Sequence, residues 1–199
     1  DRVHLQRSAT KNLEPVEKLC MTLWCECVVN NPRIRLRMRS CMLDMIRRER
    51  DGETVSGDAL REVTSMLMTL GESVYVDEFE TNMLDETTSY YRALAQKRID
   101  MDDCPTYLKM AETRLEGERR SAEAYMAPRT FSLVLGEAKD QLLKEMSQSL
   151  LYNASSGLVH MLRANQTENL RRMYALFSGA HDLIGMPDVI FNHLKEMGK

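Results

Sequence analysis

Glycine, proline and aromatic residues are all scarce in this sequence, and long apolar runs are absent. The 199 residues include nine glycines and five prolines, and aromatic residues account for 6% of the chain. So little glycine and proline argues against long linkers between separate domains. No run approaches the roughly 18 apolar residues of a membrane-spanning helix, and no apolar signal core follows the N-terminus. We therefore expect no membrane-spanning segment.

Motifs that would support catalysis or ligand binding are missing as well. The four histidines, His4, His160, His181 and His193, form no His-x-x-x-His pair and adjoin no nucleophile motif. No glycine-rich phosphate loop is present either. The sequence therefore predicts no catalytic residue, no cofactor and no bound metal.

Five cysteines, at positions 20, 25, 27, 41 and 104, are the remaining candidates for reactive groups. An odd number without a signal peptide favours reduced thiols, and hence a location in the cytoplasm, the nucleus or both. Cys25 and Cys27 lie two residues apart, and on a helix such residues point about 200° apart, so they cannot share a metal ion. Our interpretation is that Cys20 and Cys27 are core thiols beside Leu23.

The residues that are abundant suit a packed helical protein. Apolar residues make up 43% of the chain and charged residues 29%, and fifteen residues are methionine. Methionine fills irregular gaps between helices well, so a Met-rich helical core is the natural interpretation. The net charge of −3 gives no overall attraction to nucleic acid or to an anionic membrane.

Apolar residues recur at helical spacing in nearly every segment, which predicts an all-α fold. The predicted helices cover about 14–30, 32–50, 57–70, 76–99, 105–127, 130–150, 156–164, 168–178 and 182–197. The first has an apolar face of Val16, Leu19, Cys20, Leu23, Trp24, Cys27 and Val28. The inward residues predicted for the next four are Ile34, Met38, Cys41, Met42 and Met45; Leu60, Val63, Leu67 and Leu70; Phe79, Met83, Thr87, Tyr90, Tyr91 and Leu94; and Leu108, Ala111, Leu115, Ala122 and Tyr125. The sixth helix would bury Phe131, Leu135, Ala138, Leu142 and Met146.

Helix start and stop residues support these boundaries. Pro32 and Pro105 suit a first helical turn, with Asp103 as a cap before Pro105. Gly52 and Gly71 suit helix ends, and Gly52 is expected in the left-handed region between two antiparallel helices. Five helices, a break and another long amphipathic helix together predict a helical repeat whose second copy is incomplete.

Charge is unevenly distributed among the predicted helices. Residues 33–50 carry seven arginines against Asp44 and Glu49, whereas residues 76–103 carry eight acids against three cations. A basic and an acidic helix in one bundle can offset each other, although the arginine-rich helix Arg33–Arg50 also supports an alternative function as a nucleic-acid-binding module. Glu112, Glu116 and Glu118 are interpreted as part of a solvated helix face.

Three stretches, in order and at matching spacing, resemble the cullins. The first is LDMIRRER at 43–50 with Gly52 and Glu53, continuing to Tyr91. The second joins DCPTYL at 103–108 to RLEGERR at 114–120. The third joins SGLVHML at 156–162 to ENLRRMYALFS at 168–178, and it is most like the cullin-3 branch, which recruits BTB-domain adaptors.

The resemblance covers nearly the whole chain and implies stacked five-helix cullin repeats. By this mapping, residues 1–10 are a tail that follows a first repeat, residues 11–127 form the second repeat, and residues 128–199 are a partial third repeat. It implies a non-catalytic scaffold segment of a cullin-RING ubiquitin ligase, which acts in ubiquitin-dependent protein degradation. The BTB-type adaptor and the RING subunit would bind regions outside this chain, and no membrane or nucleic-acid partner is implied.

The sequence also predicts burial for one apolar residue and exposure for a group of others. Trp24 should be largely buried, because it lies on the flank of the apolar face of the first helix. Val189, Ile190, Phe191 and Leu194 should lack packing partners, because the repeat unit that would cover them is incomplete. An exposed apolar patch of this kind favours self-association.

Overall fold

The computed structural model describes residues 15–29, 31–178 and 185–198. The predicted tail, residues 1–10, lies outside this part. In chain order, the described elements are α1 (Val16–Trp24), π1 (Cys25–Val29), α2 (Pro32–Arg50), α3 (Gly57–Leu70), α4 (Glu72–Tyr75), π2 (Val76–Glu80), α5 (Thr81–Ile99), α6 (Cys104–Tyr125), α7 (Pro128–Lys139), π3 (Asp140–Lys144), α8 (Ser147–Tyr152), α9 (Leu158–Arg163), α10 (Thr167–Ser178) and α11 (Met186–Met197), where π denotes a wider, π-helical turn. The described residues contain no strand, which confirms the all-α prediction.

The predicted boundaries hold best in the middle of the chain. Helix α3 coincides with the predicted 57–70, and α6 begins and ends within two residues of the predicted 105–127. The predicted fourth helix begins earlier, at Glu72, and contains π2. The predicted helix 130–150 is divided into α7, π3 and α8. Periodicity thus identified the elements but not the π-helical turns within them, because one extra residue in a turn hardly alters the local apolar pattern.

Polar side chains cap the starts of α2 and α6, and the cap at Asp103 was predicted from the sequence. The Asn31 side chain accepts hydrogen bonds from the backbone N–H groups of Arg33 and Ile34, ahead of Pro32 in the first turn of α2. The Asp103 side chain accepts one from the N–H of Thr106 at 2.9 Å. Capping of this kind satisfies N–H groups that have no partner inside the helix.

Gly52 has φ +94°, and it lies in a turn with Asp51 between α2 and α3. The predicted left-handed glycine is therefore confirmed. The Gly52 N–H donates to the Glu49 carbonyl at 3.0 Å, and the Glu53 N–H donates to the Arg48 carbonyl at 2.9 Å, so the end of α2 is closed by backbone hydrogen bonds.

The buried side chains form two clusters. The N-terminal core joins α2 to α7 and consists of Met42, Ile46, Leu60, Leu67, Tyr75, Phe79, Met83, Tyr125 and Val134. The C-terminal core runs from Tyr91 in α5 to Val189 in α11 and includes Leu108, Ala111, Leu142, Leu158, Met161, Met173 and Phe177. Helices α5, α6 and α7 contribute to both, so each helix of this central layer ties the two cores together. The division into repeats at 127/128 stays a prediction.

Most predicted inward faces are indeed inward. All five residues predicted for α6 are buried. Phe79, Met83, Thr87 and Tyr91 are buried in π2 and α5, while Tyr90 and Leu94 are half-buried. Ala138 and Leu142 are buried as well. The exceptions in α2 are Ile34 and Cys41, which are exposed, because the packed face of this helix lies on Met42, Ile46 and Arg50 instead.

The first helix is present as α1 and π1, but the predicted burial of its apolar face is wrong. Trp24 is 46% exposed, and Val16, Leu19 and Leu23 are also exposed. Cys20 and Cys27 are exposed rather than core thiols, and the Val28 side chain lies outside the described part. Helical periodicity identifies an apolar face, but it does not tell whether another element covers that face. Among the described residues, none of the packed helices covers α1.

None of the described helices has the properties of a membrane span. Among residues 15–29, 31–178 and 185–198, no helix reaches both the length and the apolarity that crossing a bilayer requires.

The turn at Gly52 allows a direct test of the local geometry. An ideal Cβ at Gly52 meets no atom within 4 Å, so Gly52→Val is expected to destabilise the chain through backbone strain alone, by about 1–2 kcal/mol. Gly136→Ala is a suitable control, since Gly136 lies inside α7 with open space around it. It should instead stabilise the chain by about 0.5–1 kcal/mol. Urea unfolding followed by circular dichroism measures the free energy of unfolding of both variants. A Gly52→Val variant as stable as the original chain would contradict the left-handed conformation of Gly52.

Candidate functional site

Three helices meet at one buried cation. Arg50 lies in the last turn of α2, and its partner Glu118 lies in α6. Arg50 Nε donates to Glu118 Oε2 at 3.0 Å, and Nη2 donates to Oε1 at 2.7 Å. The two side chains are 5% and 2% exposed. This two-point pairing fixes the position of α2 along α6, because a planar guanidinium and a carboxylate fit each other in only a few orientations.

Helix α5 supplies the remaining partners of this pair. Arg50 Nη2 also donates to Thr87 Oγ1 at 2.7 Å, and Thr87 Oγ1 donates to the Met83 carbonyl at 2.7 Å. The Tyr91 hydroxyl donates to Glu118 Oε2 at 2.6 Å. We call Arg50, Thr87, Tyr91 and Glu118 the central network.

Aromatic rings complete the surroundings of the buried cation. The Arg50 guanidinium carbon lies 5.3 Å from the ring centroids of both Tyr90 and Tyr91. Arg50 Nη1 has no hydrogen-bond partner among the described residues. Attraction between the cation and the two ring faces offsets part of the cost of that unpaired donor.

A second set of contacts joins the network to the turn after α2. Arg114 Nη1 donates to the Arg50 carbonyl. The Tyr125 hydroxyl donates to the Glu49 carboxylate at 2.9 Å, and the Tyr90 hydroxyl donates to Asp51 at 2.9 Å. The turn that contains Gly52 is thereby anchored to both α5 and α6. A cleft of about 220 Å³ opens beside these residues, between α2 and α6.

Arg50 and Tyr91 keep one protonation state each throughout the physiological range. Burial alone lowers the pKa of Arg50, but the hydrogen bond and the charge of Glu118 outweigh it, so the pKa is raised above its usual value. Burial raises the pKa of Tyr91, and the Glu118 carboxylate raises it further. Arg50 is therefore charged and Tyr91 is a neutral donor throughout the physiological range. The arrangement holds three helices in register and presents no activated nucleophile or base.

The arginine-rich helix behaves as the charge pattern predicts. Arg35 and Arg39 both pair with the buried Glu78, at 3.2 and 3.0 Å, and Arg47 pairs with Glu86 at 2.6 Å. The basic helix α2 and the acidic segment π2–α5 thus offset each other. With Arg48 on Glu53 and Arg50 on Glu118, five of the seven arginines contact carboxylates within the described part. This leaves little free positive charge for the nucleic-acid alternative, since phosphate binding requires available cations.

The cysteines and other potential ligands are dispersed. Within residues 15–29, 31–178 and 185–198, no three His, Cys, Asp or Glu side chains are placed to hold one metal ion. Cys104 is buried, and its Sγ donates to the Leu150 carbonyl at 3.7 Å. Burial raises the pKa of this thiol, so it stays protonated and unreactive.

Sequence reasoning missed the central network for an identifiable reason. Glu118 was interpreted as part of a solvated face, and this is wrong, because its side chain is buried. Its position gave a usable indication. Glu118 lies three residues after Leu115 and four before Ala122, which is the spacing of the inward face of α6. A carboxylate on an apolar face indicates a buried partner of opposite charge.

The expected apolar patch near the C-terminus is present in part. Phe191 is 65% exposed, and Leu194 and Met197 of the same helix are also exposed. Val189 is buried in the C-terminal core and Ile190 is partly buried against it, so the prediction is wrong for both residues. The reason is that α11 turns one face towards α9, with which it packs, and only the other face is open.

Comparison with known proteins decides the family. Over residues 1–199 the sequence matches the family described as Cullin alpha solenoid domain. The chain belongs to the cullin family. Cullin-3A of Arabidopsis thaliana is 33% identical to it over 200 residues, which is 100% of this chain and 27% of the relative. Cullin-3 of Dictyostelium discoideum is 31% identical over 99% of the chain, and Cullin-4A of Homo sapiens is 30% identical over 89%.

The predicted resemblance to cullins, and to cullin-3 members in particular, is therefore confirmed. The chain spans about a quarter of the length of these relatives, at 27%, 26% and 22%. It is a helical-repeat segment of cullin type, and the central network lies within it.

The energetic role of the central network is testable. Arg50→Met leaves Glu118 as an uncompensated buried charge, so it is expected to destabilise the chain by about 3–5 kcal/mol. The double variant Arg50→Met/Glu118→Leu should recover most of that loss, because burying two apolar side chains avoids the desolvation cost of both ions.

Arg48→Met is the matched control, since Arg48 pairs with Glu53 on the surface, where the two side chains are 49% and 54% exposed. It should change stability far less than Arg50→Met does, because solvent screens an exposed ion pair. The measurement is the free energy of unfolding in urea. Equal effects of the Arg50 and Arg48 single variants would contradict the buried-charge argument.

Proposed function

We propose that this chain acts as a non-catalytic scaffold segment of a cullin-RING E3 ubiquitin ligase. It would hold the substrate-receptor end and the RING end of the ligase at a fixed separation, so that bound substrate meets the ubiquitin-loaded conjugating enzyme. The supporting observation is membership of the cullin family along the whole chain, together with two cores that share one layer of helices.

The proposed mechanism is mechanical stiffness. A repeat structure transmits position when each unit buries a continuous core against the next. Here α5, α6 and α7 each contribute to both cores. The Arg50–Glu118 pair adds a directional contact that apolar packing does not provide. Bending the segment between its two cores would therefore require breaking buried hydrogen bonds as well as apolar contacts.

The partners of the proposed ligase follow from the cullin-3 resemblance. A BTB-type adaptor and a RING subunit would bind parts of the protein other than this segment. The location would be the cytoplasm, the nucleus or both, where reduced cysteines such as the exposed Cys20 and Cys41 are the norm.

The partner assignment leads to a binding prediction. Residues 1–199 alone should bind a BTB adaptor and a RING subunit weakly or not at all, and they should show no ubiquitin transfer. The experiment is a pull-down with purified adaptor and RING protein, beside a cullin-3 relative of full length as the positive control. Retention of either partner by the short chain as strongly as by the control would show that this segment has a docking surface of its own.

The exposed face of α11 leads to a prediction about self-association. Phe191, Leu194 and Met197 place apolar surface in water, so the isolated chain should associate weakly at high concentration. Sedimentation velocity over a concentration series measures this. Phe191→Ser/Leu194→Ser should shift the chain towards monomer, whereas Tyr152→Ser, at an exposed aromatic residue on α8, serves as the control. No difference between the two variants would remove α11 as the contact.

A further inference from the structure

The π-helical turn π2 buries three consecutive residues, Glu78, Phe79 and Glu80. Successive residues of a helical turn point in different directions around its axis, so these side chains reach towards different neighbours. Phe79 enters the N-terminal core, and Glu78 pairs with two arginines of α2. Glu80, whose side chain is 4% exposed, points the other way and contacts the start of α7.

Helix α7 begins with a proline but has neither a side-chain cap nor an acidic residue in its first turn. It opens at Pro128 after Ala127. A helix N-terminus carries partial positive charge and unpaired N–H groups, which a nearby anion stabilises. The sequence of α7 does not supply that anion.

Glu80 contacts the first turn of α7 at two points. Thr130 Oγ1 donates to Glu80 Oε2 at 2.6 Å, and Arg129 Nη2 lies 3.1 Å from Oε1. Tyr75 of α4 extends this contact, because its hydroxyl donates to Thr130 Oγ1 at 2.9 Å and accepts from the Ala127 N–H at 3.3 Å. One continuous set of hydrogen bonds thus joins α4 and π2 to the residues that open α7.

We propose that Glu80 is a positioning residue that holds the first turn of α7 from another helix, through Thr130 and Arg129, and so fixes the direction of α7 relative to α2–α5. The reasoning is that the buried Glu80 carboxylate finds its partners, Thr130 and Arg129, in the first turn of α7. Moving that turn would leave a buried charge without partners, which is costly. The significance of this positioning rests on the scaffold function proposed above, since a scaffold depends on the angle between its successive units.

Arg129 also pairs with Glu72, at 3.0 Å, and this contact provides the control. The Glu72 and Arg129 side chains are 72% and 60% exposed, so their pairing is screened by solvent and contributes little. Glu72→Gln therefore removes a carboxylate beside the same arginine without touching the buried contact to Thr130.

The test measures the placement of α7 directly. Exposed cysteines are replaced by serine, and spin labels are attached at Ser40→Cys in α2 and Ser132→Cys in α7, both at exposed positions. Electron–electron resonance then gives the distribution of distances between the labels. The reference chain and Glu72→Gln should give one narrow distribution. Glu80→Ala should broaden it or add a second distance, and Glu80→Gln, which retains an acceptor for Thr130, should have a smaller effect.

Hydrogen exchange of the α7 backbone provides a second measurement. Amides at 131–134 should exchange about tenfold faster in Glu80→Ala than in Glu72→Gln, whereas amides of α3 should be unchanged. If Glu80→Ala fails to fold, Thr130→Val carries the test, since it removes the hydroxyl that joins Glu80 to Tyr75.

A folded Glu80→Ala or Thr130→Val variant with the reference distance distribution would overturn the proposal. Because both measurements use the free chain, their outcome is independent of adaptor and RING binding. A chain that positions α7 through Glu80 and yet has no role in a ligase would fail only the test of the proposed function.

Discussion

The buried pair Arg50–Glu118 is the constraint on which the arrangement of the central helices depends. Apolar packing alone allows helices to slide by a turn at modest cost, because one leucine or methionine resembles the next. A buried arginine allows no such freedom, since any shift leaves its charge without a partner. The pair joins α2 to α6, and Thr87 and Tyr91 bring in α5. The pair therefore contributes more to a single, unique placement of these helices than to the net stability of the chain.

Charge on the surface of the bundle follows a similar logic on a larger scale. Helix α2 is strongly basic and the segment π2–α5 is acidic, and their contact is made by Arg35 and Arg39 on Glu78 and by Arg47 on Glu86. Of these carboxylates, Glu78 is the one most shielded from water. Partly buried pairs are less screened by salt than exposed ones. The polarity of the two elements thus favours their mutual packing over contact with other charged molecules.

Features that depend on neighbouring residues in the sequence were predicted correctly. Features that depend on residues far away in the sequence were not. Asp103, Pro105 and Gly52 shape helix ends only a few residues away from them in the sequence, so their roles were predictable. The face of α6 was predictable too, because five apolar residues share one side. Trp24 was not, since its exposure depends on whether another element covers α1. The burial of Glu118 depends on Arg50, 68 residues away, and no local pattern identifies that partner.

The turn π3 has a consequence for how this chain tolerates insertions and deletions. Before it, α7 buries Thr130, Val134 and Ala138 at a spacing of four residues; after it, α8 buries Ser147, Leu150 and Leu151. A π-helical turn holds one residue more than the α-helical path, and each added residue rotates the next part of the helix by about 100°. Deleting Asp140 would remove the extra residue and rotate Leu142 and Leu143 of π3 away from the C-terminal core. The length of this turn is therefore more constrained than its amino-acid composition. In homologous chains, substitutions in this turn should be more common than deletions.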